Sequence, residues 1–136
     1  MPRAIVLVVD DDEDHRTILA ETLAEEGYQV ETAVHGGDAL TQLRAGMHPH
    51  LILLDLMMPE VDGWTFMAAQ KRDLGLAAIP VVVFTASGNR ALTSAPVAAG
   101  YLTKPIGRQT LLQTLETILR RIASRGSPPP PAAPGG

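Results

Sequence analysis

The sequence predicts an α/β fold, a doubly wound five-stranded parallel sheet with helices on both faces, and three observations carry that expectation. Apolar runs such as AIVLVV (Ala4 to Val9) and VVVFT (Val81 to Thr85) are continuous rather than alternating, which is how strands buried on both faces read. Between such runs lie segments whose apolar residues recur at three- and four-residue spacing. The two kinds of segment alternate along the chain, as crossovers between parallel strands require.

Ala4 to Val9 is the first strand, rich in β-branched residues and stopped abruptly by acids. DDDEDHRTILAETLAEEGY then turns helical. Ile18, Leu19, Thr22 and Leu23 fall on one stripe, Asp12 can cap the helix, Glu13 and Asp14 suit its positive N-terminal dipole, and Gly27 ends it. QVETAV (Gln29 to Val34) alternates as a second strand. A helix from about Gly37 to Ala45 turns Ala39, Leu40 and Leu43 inward, and Pro49 precedes the third strand, Leu51 to Asp55. Pro59, Asp62 and Gly63 mark a loop before an amphipathic helix from Trp64 to about Leu74. Pro80 opens the fourth strand, which Ser87, Gly88 and Asn89 break. A weaker helix is expected from Arg90 to Ala98, then a short strand from Tyr101 to Thr103. The last helix, Arg108 to about Ser124, carries Leu111, Leu112, Leu115, Ile118, Leu119 and Ile122 at helical spacing.

Composition narrows the function. The 136 residues, 46% of them hydrophobic, suit one domain, read as residues 1–124, followed by a Pro/Gly-rich tail or linker at 125–136 that has little with which to build a core. Without cysteine there are no disulfides or thiolate metal sites, and the cytoplasm is the default location. The first apolar run is too short for a signal-peptide core or a membrane span. A net charge of -4, with Lys71 and Lys104 as the only lysines, argues against direct nucleic-acid binding.

The chemistry is concentrated at strand ends. In LILLDLMMPEVDG the strand pattern breaks at Asp55, a residue type depleted in strands and rarely buried without a partner. Asp10 and Asp11 end the first strand, Thr85 ends the fourth and Lys104 follows the fifth, so all of these residues lie at carboxyl ends. In an open sheet of order 2-1-3-4-5 the ligand crevice lies outside those ends, where strand order reverses between the first and third strands. Asp55 is thereby expected to meet Asp10 and Asp11. Two carboxylates at 4 Å repel by about 4 kcal/mol at an effective dielectric near 20, so the cluster needs a cation or raised pKa values. Oxygen ligands fit a hard divalent ion, and Mg²⁺ held by a few carboxylates keeps positions for phosphate oxygens. Thr85 offers a hydrogen bond and Lys104 a point charge to the same phosphoryl group.

With these residues in view, the chain resembles the receiver domains of two-component response regulators, the CheY-like family with a flavodoxin-like (βα)5 fold. VVDDDED matches the family's acidic pair, DLMMPEVDG its phosphoacceptor segment, VVVFTAS its switch threonine and YLTKPI its lysine and proline, all in order. The resemblance implies that Asp55 accepts the phosphoryl group, that Asp10, Asp11, Asp55 and the Met57 backbone carbonyl hold Mg²⁺, and that Thr85 and Lys104 contact phosphate. It places Tyr101 at the aromatic switch position and makes the bond from Lys104 to Pro105 cis. Its implied partners are a sensor histidine kinase or histidine phosphotransfer protein on one side and a downstream target or output domain on the other. Homodimerisation on phosphorylation is a further implied output, and no membrane or direct nucleic-acid contact is implied. Such a domain catalyses its own phosphorylation and dephosphorylation while serving primarily as a signalling protein. The stretch from Thr85 to Lys104 is a few residues shorter than the family's usual length, which bears on switching.

Plainer readings compete at several positions. Acids at Asp12, Glu13 and Asp14 are accounted for by capping and the helix dipole. His15, His35, His48 and His50 read as surface or local-structure residues, since no two share a helix face with a carboxylate at metal-ligand spacing. Met57, Met58 and Met67 read as loop and core packing. Three rival functions remain in view. A haloacid-dehalogenase-like phosphatase would place a second Asp two residues after the nucleophile, where this chain has Met57; an FMN carrier would need a phosphate loop where Asp10 to Asp12 stand. The third is a pseudo-receiver, a phosphorylation-independent interaction module.

Overall fold

The computed structural model describes residues 4–55, 63–85, 98–103 and 106–126. In chain order these form β1 (Ile5–Val9), α1 (Glu13–Glu25), β2 (Gln29–Ala33), α2 (Gly36–Arg44), β3 (Leu51–Asp55), α3 (Gly63–Arg72), β4 (Val81–Thr85), β5 (Gly100–Thr103) and α4 (Arg108–Gly126). The helix expected between Arg90 and Ala98 falls almost wholly outside the described residues.

All four strand pairings are parallel, and the sheet order is β2-β1-β3-β4-β5, as the sequence predicts. The chain moves one way across the sheet from β1 to β2 and the other way from β2 through β3 and β4 to β5. With right-handed crossovers, that reversal puts α1 on one face and α2 and α3 on the other. The second face is filled by Leu7 and Val9 of β1, Ile52 and Leu54 of β3, Val81 and Val83 of β4, Ala39 and Leu43 of α2, and Phe66 and Met67 of α3. Alternate residues of the same strands, Val6, Val8, Leu51, Leu53, Val82 and Phe84, are buried toward the α1 side, as the two-residue period of a strand dictates. Continuous burial of every residue of β3 explains why its sequence shows no alternation.

Local signals set the helix ends. Asp12 caps α1 by accepting the His15 backbone N–H at 3.1 Å. Beyond α1, Gly27 takes a φ of 94°, a conformation that costs glycine least. One expectation fails here. Leu19 and Leu23 are buried, but Ile18 is 59% exposed, so the apolar stripe of α1 is narrower than its sequence spacing implied. α2 begins one residue earlier than expected, with His35 as its cap: His35 Nδ1 accepts the Asp38 backbone N–H at 3.1 Å, while Asp38 Oδ2 accepts the Val34 N–H at 3.0 Å. This reciprocal pair does the work of a capping box.

After α3, the buried Gln70 side chain ties down the return to β4, donating from Nε2 to the carbonyls of Leu76 (2.6 Å) and Ile79 (3.1 Å). One compact unit ends at Ile106 and a second begins at Gly107. Within the second, α4 buries Leu111, Leu115 and Ile118 at three- and four-residue spacing. Among the described residues no helix is long and apolar enough to cross a membrane.

Candidate functional site

The ladder between β1 and β3 pairs Val6 with Leu51 and continues to Val9 with Leu54. One step further along the same register, Asp10 comes beside Asp55. The next ladder pairs Asp55 with Phe84, and the one after it Phe84 with Leu102. Asp10, Asp55 and Phe84 therefore form a row across three neighbouring strands at the carboxyl edge, all on the α1 side.

Asp10, Asp11 and Asp55 each bring a ligand oxygen within 4.8 Å of the others, with Asp10 and Asp55 buried and Asp11 exposed. An all-carboxylate donor set suits a hard divalent cation rather than a thiophilic one. Asp10 is held from several directions. Its Oδ1 accepts the Asp12 backbone N–H at 3.0 Å, its backbone N–H donates to the Ala33 carbonyl at 3.2 Å, and its carbonyl accepts from Arg16 Nη1 at 2.8 Å. Its Oδ2 lies 2.5 Å from His15 Nδ1. Since an ionised carboxylate only accepts, the imidazole is the donor. The His15 ring also meets the Phe84 ring edge-on, with centroids 5.5 Å apart.

His15 is the residue that sequence reasoning missed. Its signal was positional: a histidine three residues after the N-cap of α1, on the first turn of a helix that rises directly from Asp10. Pattern searches for metal ligands pass over such a residue, because it touches a candidate ligand, Asp10, rather than joining the acid cluster itself.

The other expected site residues are placed less fully. Thr85 closes β4 in register with Thr103, so the threonine and the residue before Lys104 lie side by side on neighbouring strands. Tyr101 sits on β5 opposite Val83 and is 45% exposed. Met57, Lys104 and Pro105 lie outside the described residues, and with them the expected carbonyl ligand and cis bond. Most of the shortened stretch between Thr85 and Lys104 lies outside them too.

The family model of the response regulator receiver domain matches residues 6–116. The chain belongs to this family. Receiver domains of two-component systems serve phosphorylation-based signalling, and that is the class of function to which this chain is assigned. The DNA-binding dual master transcriptional regulator RpaA of Synechocystis sp. is 38% identical over 126 residues, which cover 89% of this chain and 50% of that protein. Protein PilH of Pseudomonas aeruginosa is 32% identical over 119 residues, covering 85% of this chain and 98% of that one. Among solved structures, the Vibrio cholerae chemotaxis protein CheY4 superposes with a TM-score of 0.77 at 32% identity, covering 85% of this chain and 98% of that chain. The receiver chain spans about half the length of several curated relatives that it matches.

Proposed function

We propose that this receiver domain accepts a phosphoryl group on Asp55 from a phosphohistidine of a sensor histidine kinase or phosphotransfer protein. The observation that carries the reading is the convergence of Asp10, Asp11 and Asp55 within 4.8 Å at the β1 and β3 ends. Asp55 is the acceptor because it ends the central strand of the row, between the other acids and the end of β4. Its carboxylate oxygen forms the new bond to phosphorus as the donor's phosphorus–nitrogen bond breaks, so the phosphoryl group passes to an acyl phosphate. Asp10, Asp11, Asp55 and the Met57 carbonyl hold Mg²⁺, which supplies countercharge to the transferring group. Lys104 adds a second positive charge, and Thr85 donates to a phosphoryl oxygen.

Movement of Thr85 toward the phosphoryl group alters packing around Tyr101, and the changed surface is read by a downstream protein, an output domain or a second copy of the chain. On this reading residues 1–124 are the working domain, 125–136 are tail or linker, and the protein acts in the cytoplasm without touching nucleic acid directly. The test is incubation with a small acyl phosphate and Mg²⁺, followed by intact mass and site mapping. Wild type gains one phosphoryl group and Asp55→Asn gains none. Equal labelling of the variant would move the acceptor elsewhere, and an unlabelled wild type would favour the pseudo-receiver reading.

A further inference from the structure

The His15 imidazole touches side chains that flank the strand carrying the proposed acceptor: Asp10 on β1 through Nδ1, and Phe84 on β4 through its ring. Between β1 and β4 lies β3, which ends in Asp55. Parallel neighbours run about 4.8 Å apart, so a single side chain that reaches both must bridge across the end of β3. The backbone of the same residue is fixed independently, because its N–H donates to the capping carboxylate of Asp12. His15 is thus held at its backbone by the cap and at its ring by Phe84, with its Nδ1 donor directed to one oxygen of Asp10. The Asp12 N–H takes the other oxygen of that carboxylate.

We infer that His15 is a positioning residue for the cation site: by donating from Nδ1 to Asp10 Oδ2 it fixes the rotation of the buried Asp10 carboxylate, so that the acid cluster is set for Mg²⁺ before the ion arrives. This rests on the Mg²⁺ reading proposed above. Its physical basis is that a carboxylate held at one oxygen still rotates about its side-chain bonds, whereas one held at both presents a single orientation. Hydrogen-bond partners of metal ligands typically change affinity by about 10- to 100-fold when removed. Asp10 is fully buried, so bulk water does not readily replace the lost donor.

Calorimetric titration of Mg²⁺ into wild type, His15→Leu and His15→Asn at one fixed pH tests the inference, with a thermal melt of each protein in the absence of metal. Leu keeps apolar contact toward Phe84 but donates nothing, whereas Asn places an amide N–H close to where Nδ1 stood. The expected result is a loss of about tenfold or more in Mg²⁺ affinity for His15→Leu, with His15→Asn returning to within about threefold of wild type. A His15→Leu variant that binds Mg²⁺ as wild type does overturns the role of His15 while leaving the metal site intact. Equal loss in both variants also overturns it, since position rather than the donor would then matter. Wild type without measurable Mg²⁺ binding overturns the metal reading and this inference together.

Discussion

Val9 stands beside Leu54 in the ladder between β1 and β3, and that pairing decides where the acids meet. A slip of one residue would turn Asp55 to the opposite face from Asp10. The crowding that results is itself testable. Carboxylates 4.8 Å apart repel by about 1 kcal/mol in water and about 3.5 kcal/mol at an effective dielectric of 20; because Asp11 is exposed, the lower figure applies to it. Without metal, Asp11→Asn should melt at the same temperature as wild type or a few °C higher, while binding Mg²⁺ more weakly. A lower melting temperature combined with unchanged Mg²⁺ affinity would count against the cluster as a cation site.

The lifetime of the phosphoryl group is expected to depend on Met57. In the receiver family the side chains two residues after the acceptor and two after the threonine flank the approach of hydrolytic water, and in this chain they are Met57 and Ser87. Neither has an acid or amide that reaches far enough to orient water, and Met57 adds apolar bulk. Met57→Asn should accelerate loss of phosphate by about threefold to tenfold, equivalent to roughly 1 kcal/mol of barrier, without changing the labelled residue. Decay measured after donor removal provides the check, and an equal or slower rate would show that access at this position does not limit hydrolysis.

Gln70 offers a test of the fold rather than the site. Its amide N–H groups face two carbonyls, while its Oε1 is buried with no hydrogen-bond partner among the described residues. The near-isosteric change Gln70→Glu sets an acceptor against two acceptors and should cost about 2–3 kcal/mol in a urea melt. A cost below about 0.5 kcal/mol would mean that the segment from Asp73 to Pro80 is held by its backbone turns alone.

The cap of α2 makes a fourth case. Asp38→Ala removes the acceptor for the Val34 N–H and an acid from the first turn, so a loss of about 1 kcal/mol is expected. His35→Ser replaces an unusual cap with a preferred one and should be neutral or slightly stabilising. Marked destabilisation by His35→Ser would assign the imidazole a role beyond capping.

How much of this was legible in the sequence depends on the range of the interaction. β1, β3 and β4 announced themselves through uninterrupted apolar runs, and the acids at the ends of β1 and β3 located the crevice because strand ends and chemistry coincide in this topology. Asp12 as a cap was equally plain, being a local contact between neighbours in sequence. Ile18 was misjudged because periodicity identifies a helical face but not how wide a strip of it the sheet covers. His15 was missed because its meaning comes from two contacts, one of them with a strand far along the chain. His35 proved the local-structure residue that its sequence context suggested, though not specifically as a cap, since imidazole is a rare cap and its partner Asp38 reads equally well as an ordinary first-turn acid.

If the acid cluster takes up Mg²⁺ as proposed, the pairing of β1 with β3 also couples cation binding to folding. Asp10 and Asp55 are remote in sequence and become neighbours only when those two strands join, so an unfolded or half-synthesised chain has no equivalent site. An ion that binds the native state alone contributes free energy to that state by mass action, about 2.7 kcal/mol when its concentration is one hundred times the dissociation constant. Melting temperature should therefore climb with Mg²⁺ concentration. On the proposed reading, a nascent chain acquires its phosphoacceptor site only once the third strand has left the ribosome and docked against the first.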